Sequence, residues 1–264
     1  MDYQLKGKRA MITGSTKGIG FSAGVSLARE GAAVCLNGRT ADGVFAATER
    51  LRAAVPDADV RGIAADLATA DGVSVLTDGI PELDILVNNL GIFQPTPFSD
   101  ITDADWQRFF DVNVMSGVRL SREFLPGMME RNWGRIVFVS SESGVQIPEE
   151  MIHYGMTKAA QIAVARGLAE TTKGSGVTVN SVLPGPTRSE GVETFVKELA
   201  AEKGMTLAEM EKEFFRSARP TSLLQRFTET EEVANLIAYV CSPLSSATNG
   251  AALRVDGGVV RAMV

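Results

Sequence analysis

A single histidine, His153, stands among 264 residues, and that scarcity removes whole classes of chemistry. A serine hydrolase needs an imidazole turned toward its nucleophile. His153 is next in sequence to Tyr154, and helix neighbours do not face one another. It reads as a packed or solvated side chain with no catalytic role. Cysteine is nearly as rare: Cys35 and Cys241 lie far apart, with neither zinc spacing nor a disulfide framework. Cys35 sits in an apolar run and reads as core. The carboxylates Glu142, Glu149 and Glu150 have no companions at recognisable ligand spacing, so no metal is expected. The net charge of −6 includes no basic block, which argues against a nucleic-acid surface. Any anionic ligand must then be held by local cations. No apolar run approaches the ~18 residues of a membrane helix, and the first residues lack a signal-like apolar stretch. A soluble, cytoplasmic protein without membrane contact is expected. Internal repeats, low-complexity tracts and linkers are also missing.

What is present is alternation. Short apolar runs at 9–13, 33–37, 60–64, 84–88, 135–139, 177–183 and 252–255 read as strands. Between them, amphipathic patterns at 18–30, 41–54, 70–78, 103–131, 154–173 and 230–241 read as helices. Thr102-x-x-Asp105, Thr206-x-x-Glu209 and Thr228-x-x-Glu231 resemble capping boxes. Strand–helix alternation implies right-handed crossovers and a parallel sheet covered on both faces. The expectation is one doubly wound α/β domain over residues 1–264.

Ligands of such sheets bind beyond the strand carboxyl ends, and the chemistry-bearing residues cluster there. Thr13-Gly-Ser-Thr-Lys-Gly-Ile-Gly20 follows a strand and opens a helix. Gly14, Gly18 and Gly20 allow a tight turn and close approach of a diphosphate to free helix N–H groups. Ser15 and Lys17 are polar and within reach of a ribose or phosphate. The second strand ends in Asn37-Gly-Arg-Thr40 with no acidic residue to bind a ribose 2′-hydroxyl. Lys17 and Arg39 supply cations instead, suited to a 2′-phosphate and hence to NADP(H) over NAD(H). Asp66 suits an adenine amino group or, alternatively, a helix N-cap. Asn113 is a poor helix former inside a long helical pattern and suggests a local backbone distortion. Ser140 and Ser141 end the fifth strand. Tyr154 and Lys158, four apart on a helix, share one face. An ammonium beside the phenol would lower its pKa and fit it for proton transfer.

In this order the motifs resemble those of the short-chain dehydrogenase/reductase family over essentially the whole chain. The series runs through residues 13–20, Asp66, Asn88-Asn89-Leu90-Gly91, Asn113, Ser141, Tyr154-x-x-x-Lys158, Asn180, Pro184-Gly185 and Val255-Asp256-Gly257-Gly258. Ser141 is preferred to Ser140 because the family serine usually stands thirteen residues before the tyrosine. The resemblance implies a seven-stranded Rossmann fold and a catalytic set of Asn113, Ser141, Tyr154 and Lys158. Tyr154 would protonate a carbonyl oxygen held by Ser141. Lys158 would bind the nicotinamide ribose and depress the Tyr154 pKa, with Asn113 anchoring a relay water. Implied cofactor contacts are Gly14, Ser15, Lys17, Gly18, Ile19, Gly20, Arg39, Asp66, Leu67, Asn89, Gly91, Pro184, Gly185, Thr187 and Ser189, with Tyr154 and Lys158. Ser189 replaces a usual threonine, and Leu90 a usual alanine that would leave more room beside the adenosine.

Residues 188–224 correspond to the family's substrate lid and are long here. Val192, Phe195, Val196 and Leu199 pattern one helix, and Leu207, Met210, Phe214 and Phe215 another. They would pack the lid or wall an acyl-like substrate. The implied activity is NADPH-dependent, reversible carbonyl reduction, with a 3-oxoacyl thioester as one plausible substrate. The alternatives are an NAD-dependent sugar, polyol or hydroxy-acid dehydrogenase and, from another class, a non-catalytic NADP(H)-binding sensor. A homotetramer, or a dimer, is implied.

Overall fold

The computed structural model describes residues 2–263, with the side chain of Phe195 outside the described set. In chain order the first half reads β1 (Arg9–Ile12), α1 (Gly18–Arg29), β2 (Ala33–Gly38), α2 (Ala41–Ala54), β3 (Val60–Ala64), α3 (Ala70–Gly79) and β4 (Ile85–Asn88). The second half reads α4 (Asp103–Phe110), α5 (Ser116–Glu130), β5 (Gly134–Val139), α6 (Ile152–Thr171) and β6 (Val177–Pro184). It continues with β7 (Thr187–Arg188), α7 (Glu190–Glu202), α8 (Leu207–Ser217), β8 (Thr228–Glu229), α9 (Thr230–Cys241) and β9 (Ala252–Val255). All pairings in the main sheet are parallel, in the order β3-β2-β1-β4-β5-β6-β9. The order reverses between β1 and β4, so their carboxyl ends frame a crevice.

Alternation along the strands sorts side chains into two cores. On one face Ile12, Leu36, Val87, Val137 and Val182 pack with α1, α2 and α9. On the other Met11, Cys35, Leu86, Phe138 and Val179 pack with α3, α5 and α6. The central strands β4, β5 and β6 are buried throughout, which matches their continuous apolar runs. Leu36 and Phe138 are essentially inaccessible, and truncating either would cost roughly 2–5 kcal/mol. Among the described residues no helix is long and apolar enough to cross a membrane.

The seven expected strands fall within one residue of their observed bounds, and five of the helices within two. The stretch expected as one helix over 103–131 is broken: Asp111–Met115 forms a π turn between α4 and α5. One extra residue per turn shifts the helical register there, and Asn113 lies inside it, as its poor propensity suggests. Capping boxes form at Thr102–Asp105 and Thr206–Glu209. The third is shifted: α9 starts at Thr230, so Glu229 is the cap and Glu232 its reciprocal partner, not Thr228 and Glu231. Thr228 is instead occupied in β8, pairing with β7 at Thr187.

That short pair closes the base of an excursion formed by α7 and α8. The excursion has a small core of its own in Val196, Ala200, Met210, Phe215 and Phe227. His153 is buried against Phe109, with ring centroids 3.9 Å apart. Burial pushes its imidazole below the usual value, with Asp105 opposing.

Candidate active site

Gly14 and Gly18 take φ values of +57° and +60° between β1 and α1, a conformation that glycine adopts without strain. A Cβ on Gly20 would lie 2.4 Å from the Asn89 amide nitrogen. That amide donates to the Thr13 and Gly14 carbonyls at 2.9 and 3.0 Å and stitches the ends of β1 and β4 together. Helix α1 has no side-chain cap, so its first N–H groups are orphan donors. One of them, on Gly18, donates to the Glu190 carboxylate at 2.8 Å. The terminus thus already receives an anion, as a diphosphate site requires.

Ser15 departs from expectation. Its hydroxyl donates to the Ile12 carbonyl at 2.7 Å and accepts from the Asn37 N–H, and the side chain is fully buried. It pins the turn, and the Ser15 N–H is also spent, on the Asn37 carbonyl at 2.8 Å, so neither its hydroxyl nor its N–H is left for a ligand. Asn89 is likewise spent on the turn. Lys17 and Arg39 are exposed on adjoining segments, since the β2 end is bonded to the loop through Asn37 and Ser15. Neither makes an ion pair among the described residues. Asp66 is exposed and accepts from Ala68 N–H, while Thr69 caps α3, so the N-cap alternative for Asp66 falls. The Leu67 side chain is in the core, which leaves its backbone for contact. Leu90 packs on Gly14, its Cα 3.1 Å from where a Cβ would stand.

The reactive side chains converge at the carboxyl end of β5. The Ser140 hydroxyl donates to the Lys158 carbonyl at 2.8 Å and fastens α6 to the sheet. Ser141 opens the next turn, where a Cβ on Gly144 would lie 2.8 Å from the Lys158 backbone, so the turn seats directly on α6. Lys158 Nζ lies 5.6 Å from the centre of the Tyr154 ring, as the four-residue spacing predicts. It donates to the Val139 carbonyl at 3.0 Å and to Gln161 Oε1 at 3.1 Å. Asn113 is fully buried. Its side chain is exchanged with the Ile92 backbone and donates to Thr157, while its own carbonyl accepts from Gln161 Nε2. The link from Asn113 to Lys158 therefore runs through Gln161, a residue the sequence did not single out.

The electrostatics also depart from expectation. Burial, reinforced by Glu142, pushes the Tyr154 phenol above its ordinary value, although the Ser141 hydroxyl acts the other way. Burial lowers Lys158 to about 7 against the pull of Glu142. The spacing brings phenol and amine together, but burial dominates the shift of each. Glu142 was missed as a site residue. It is buried, accepts the Ser141 hydroxyl on Oε2, and receives Arg219 Nε on Oε1 at 3.0 Å. Arg219 also reaches Glu150 at 3.0 Å. Burial works against its charge, but Glu142 and Glu150 hold it above its ordinary pKa.

These groups line a cavity of about 720 Å³ that runs from Ile19 past Ser141, Tyr154 and Lys158 to Phe93 and Phe214. Gly185 and Thr187 form its side, with the Thr187 hydroxyl bonded to Gly185 and Thr228, so a ligand there meets backbone. Ser189 lines it too and caps α7. Val192, Leu199, Met210 and Phe214 face the cavity, whereas Val196 and Phe215 pack inside the roof and Leu207 is half exposed. Lid packing and cavity wall thus divide between the residues expected for both. The Phe195 side chain lies outside the described residues.

The profile of a family described as enoyl-(acyl carrier protein) reductase matches residues 14–260. The uncharacterized oxidoreductase YvaG of Bacillus subtilis (strain 168) is 48% identical over 263 residues, covering 100% of both chains. The 3-oxoacyl-[acyl-carrier-protein] reductase FabG of Aquifex aeolicus (strain VF5) is 31% identical over 98% of this chain and 100% of its own. Among solved structures, L-sorbose reductase from Gluconobacter frateurii, complexed with NADPH and L-sorbose, superposes with a TM-score of 0.93. It is 31% identical, with 100% of each chain covered.

Proposed function

Because the chain belongs to the short-chain dehydrogenase/reductase family of oxidoreductases, we propose that it interconverts a carbonyl and a secondary alcohol with NADP(H). The observation that carries this is the convergence of Ser141, Tyr154 and Lys158 on one cavity beside the glycine turn. When bound, the nicotinamide supplies or takes up the hydride. The turn at residues 14–20 would hold the diphosphate through backbone N–H groups, that of Gly18 exchanging Glu190 for it, and Lys17 and Arg39 would hold a 2′-phosphate. Asp66, the Leu67 backbone and Gly91 border the adenosine and ribose, and Pro184, Gly185, Thr187 and Ser189 the nicotinamide. The NADPH in the sorbose reductase complex supports the choice of cofactor.

Tyr154 gives its hydroxyl proton to the carbonyl oxygen in reduction. Its raised pKa suits this direction, because the phenol stays protonated across the neutral range. Ser141 polarises the same oxygen by hydrogen bonding. Lys158, fixed by Val139 and Gln161, stands next to the phenol and meets ribose hydroxyls. The π turn presents the Asn113 carbonyl to Gln161 and so braces Lys158 from below. A non-catalytic sensor has no use for this set. We also propose a cytoplasmic homotetramer with α5 and α6 paired across one interface; a monomer in light scattering would remove the oligomer.

The test is NADPH oxidation by purified protein against acetoacetyl thioesters, quinones, aldehydes and keto sugars, with NADH in parallel. Turnover with NADPH exceeding that with NADH is expected. Tight NADPH binding without turnover on any carbonyl would overturn the enzyme reading in favour of a sensor.

A further inference from the structure

Ser141 has one hydroxyl proton, and in this structure it is committed. It goes to Glu142 Oε2, while Ser141 Oγ accepts the Ser143 N–H at 3.1 Å. To polarise a carbonyl, the same hydroxyl must turn its proton onto the substrate oxygen. Glu142 Oε2 then loses its donor inside a pocket where the residue is only 4% exposed. It cannot swing out to water, because Arg219 holds the other oxygen at 3.0 Å and is itself anchored to Glu150. A buried charged acceptor stripped of its donor is unfavourable. The substrate can replace that donor if it carries a hydroxyl beside the reacting carbonyl. Ser141 and Glu142 are adjacent and share a hydrogen bond, so the two substrate oxygens lie close together, as they do on neighbouring carbons.

We propose that Glu142 is a specificity-determining residue that selects α-hydroxy ketones, its carboxylate accepting the substrate hydroxyl while Ser141 turns to the carbonyl. The inference rests on the reductase reading above and names its substrate class. The product is a vicinal diol, and in the oxidative direction a vicinal diol is the substrate. Simple ketones and 3-oxoacyl thioesters lack the hydroxyl and leave Glu142 unpaired, so they belong to the poor group. Glu142 is separate in role from Tyr154, which alone exchanges the proton with the reacting oxygen.

The test compares matched pairs in the wild-type protein with NADPH: hydroxyacetone against acetone, and 1-hydroxy-2-butanone against 2-butanone. The hydroxylated member should show kcat/KM higher by about 10- to 100-fold. Glu142→Gln should collapse that ratio to roughly threefold or less, with thermal melting and NADPH affinity measured alongside. A ratio near one in the wild type would overturn the proposal while leaving the reductase intact. So would a ratio undiminished in a folded, NADPH-binding Glu142→Gln protein. If none of these four ketones is reduced, this inference is overturned, whereas the reductase reading falls only when the wider carbonyl panel also gives no turnover. The wild-type ratio decides even where the variant fails to fold.

Discussion

The floor of the cavity and its roof are held by different forces. In the floor, Ser140 is bonded to the α6 backbone, Lys158 to backbone at the carboxyl end of β5 and Gln161 to backbone in the π turn, next to the main core. In the roof, α7 and α8 share a five-residue core and are otherwise tied by ion pairs. Arg188 reaches Glu211 at 3.0 Å and Glu229 at 3.3 Å, and Arg219 reaches across to Glu142. Proton transfer requires hydrogen-bond placement, so it belongs where the sheet fixes it. A roof with its own core can be exchanged without disturbing that placement, which is where one scaffold acquires different substrates. Arg219 and Glu142 join the two regions.

The contrast can be broken from either side. Tyr154→Phe in the floor should lower kcat for ketone reduction by ~10³-fold and leave the NADPH Kd within about threefold. A loss under tenfold in stopped-assay kinetics would mean that another group supplies the proton. Arg219→Leu in the roof strands Glu142 without its cation and should cost roughly 3–5 kcal/mol, or about 10 °C in Tm. An unchanged melting curve would show the pair to be dispensable. Lys17→Ala with Arg39→Ala should shrink the preference for NADPH over NADH by about 10- to 100-fold, read from paired titrations. Equal losses for both cofactors would deny the 2′-phosphate role.

The pH dependence sharpens the floor alone. Because Tyr154 titrates above its ordinary value, its acid form persists through neutrality and ketone reduction should stay nearly flat from about pH 7 to 9. Alcohol oxidation needs the phenolate and should climb by about tenfold per pH unit over the same range. Lys158, at about 7, is charged below that window and loses its charge as the pH rises through its lower edge. An oxidation plateau well below pH 9 would show that the phenol is easier to ionise than burial implies.

The fold was legible because its signals are local. Apolar runs, glycine turns and the spacing from Tyr154 to Lys158 all lie within one or two turns of chain. Asn113 was legible for the same reason, as a weak helix former at the site of the π turn. The misses are long-range or depend on packing. Glu142 and Arg219 stand 77 residues apart and share no period. Ser15 looked available because nothing in the loop reveals that its hydroxyl turns back to Ile12. The direction of the Tyr154 shift escaped because spacing locates a neighbouring charge but is silent about desolvation. The cap of α9 slipped by one residue because Thr228 and Glu229 both precede an acidic residue three further on.

The bond from Gly18 to Glu190 carries a thermodynamic obligation. One N–H serves one acceptor at a time, so an incoming anion and the first turn of α7 compete for the same donor. With the diphosphate placed as proposed, linkage makes that competition reciprocal: whatever free energy fastens α7 to α1 would weaken the dinucleotide, and the dinucleotide would loosen α7 by the same amount. Cofactor affinity and roof position are then two readings of one equilibrium, and a residue on the roof becomes a dial on the binding constant at the opposite end of the crevice.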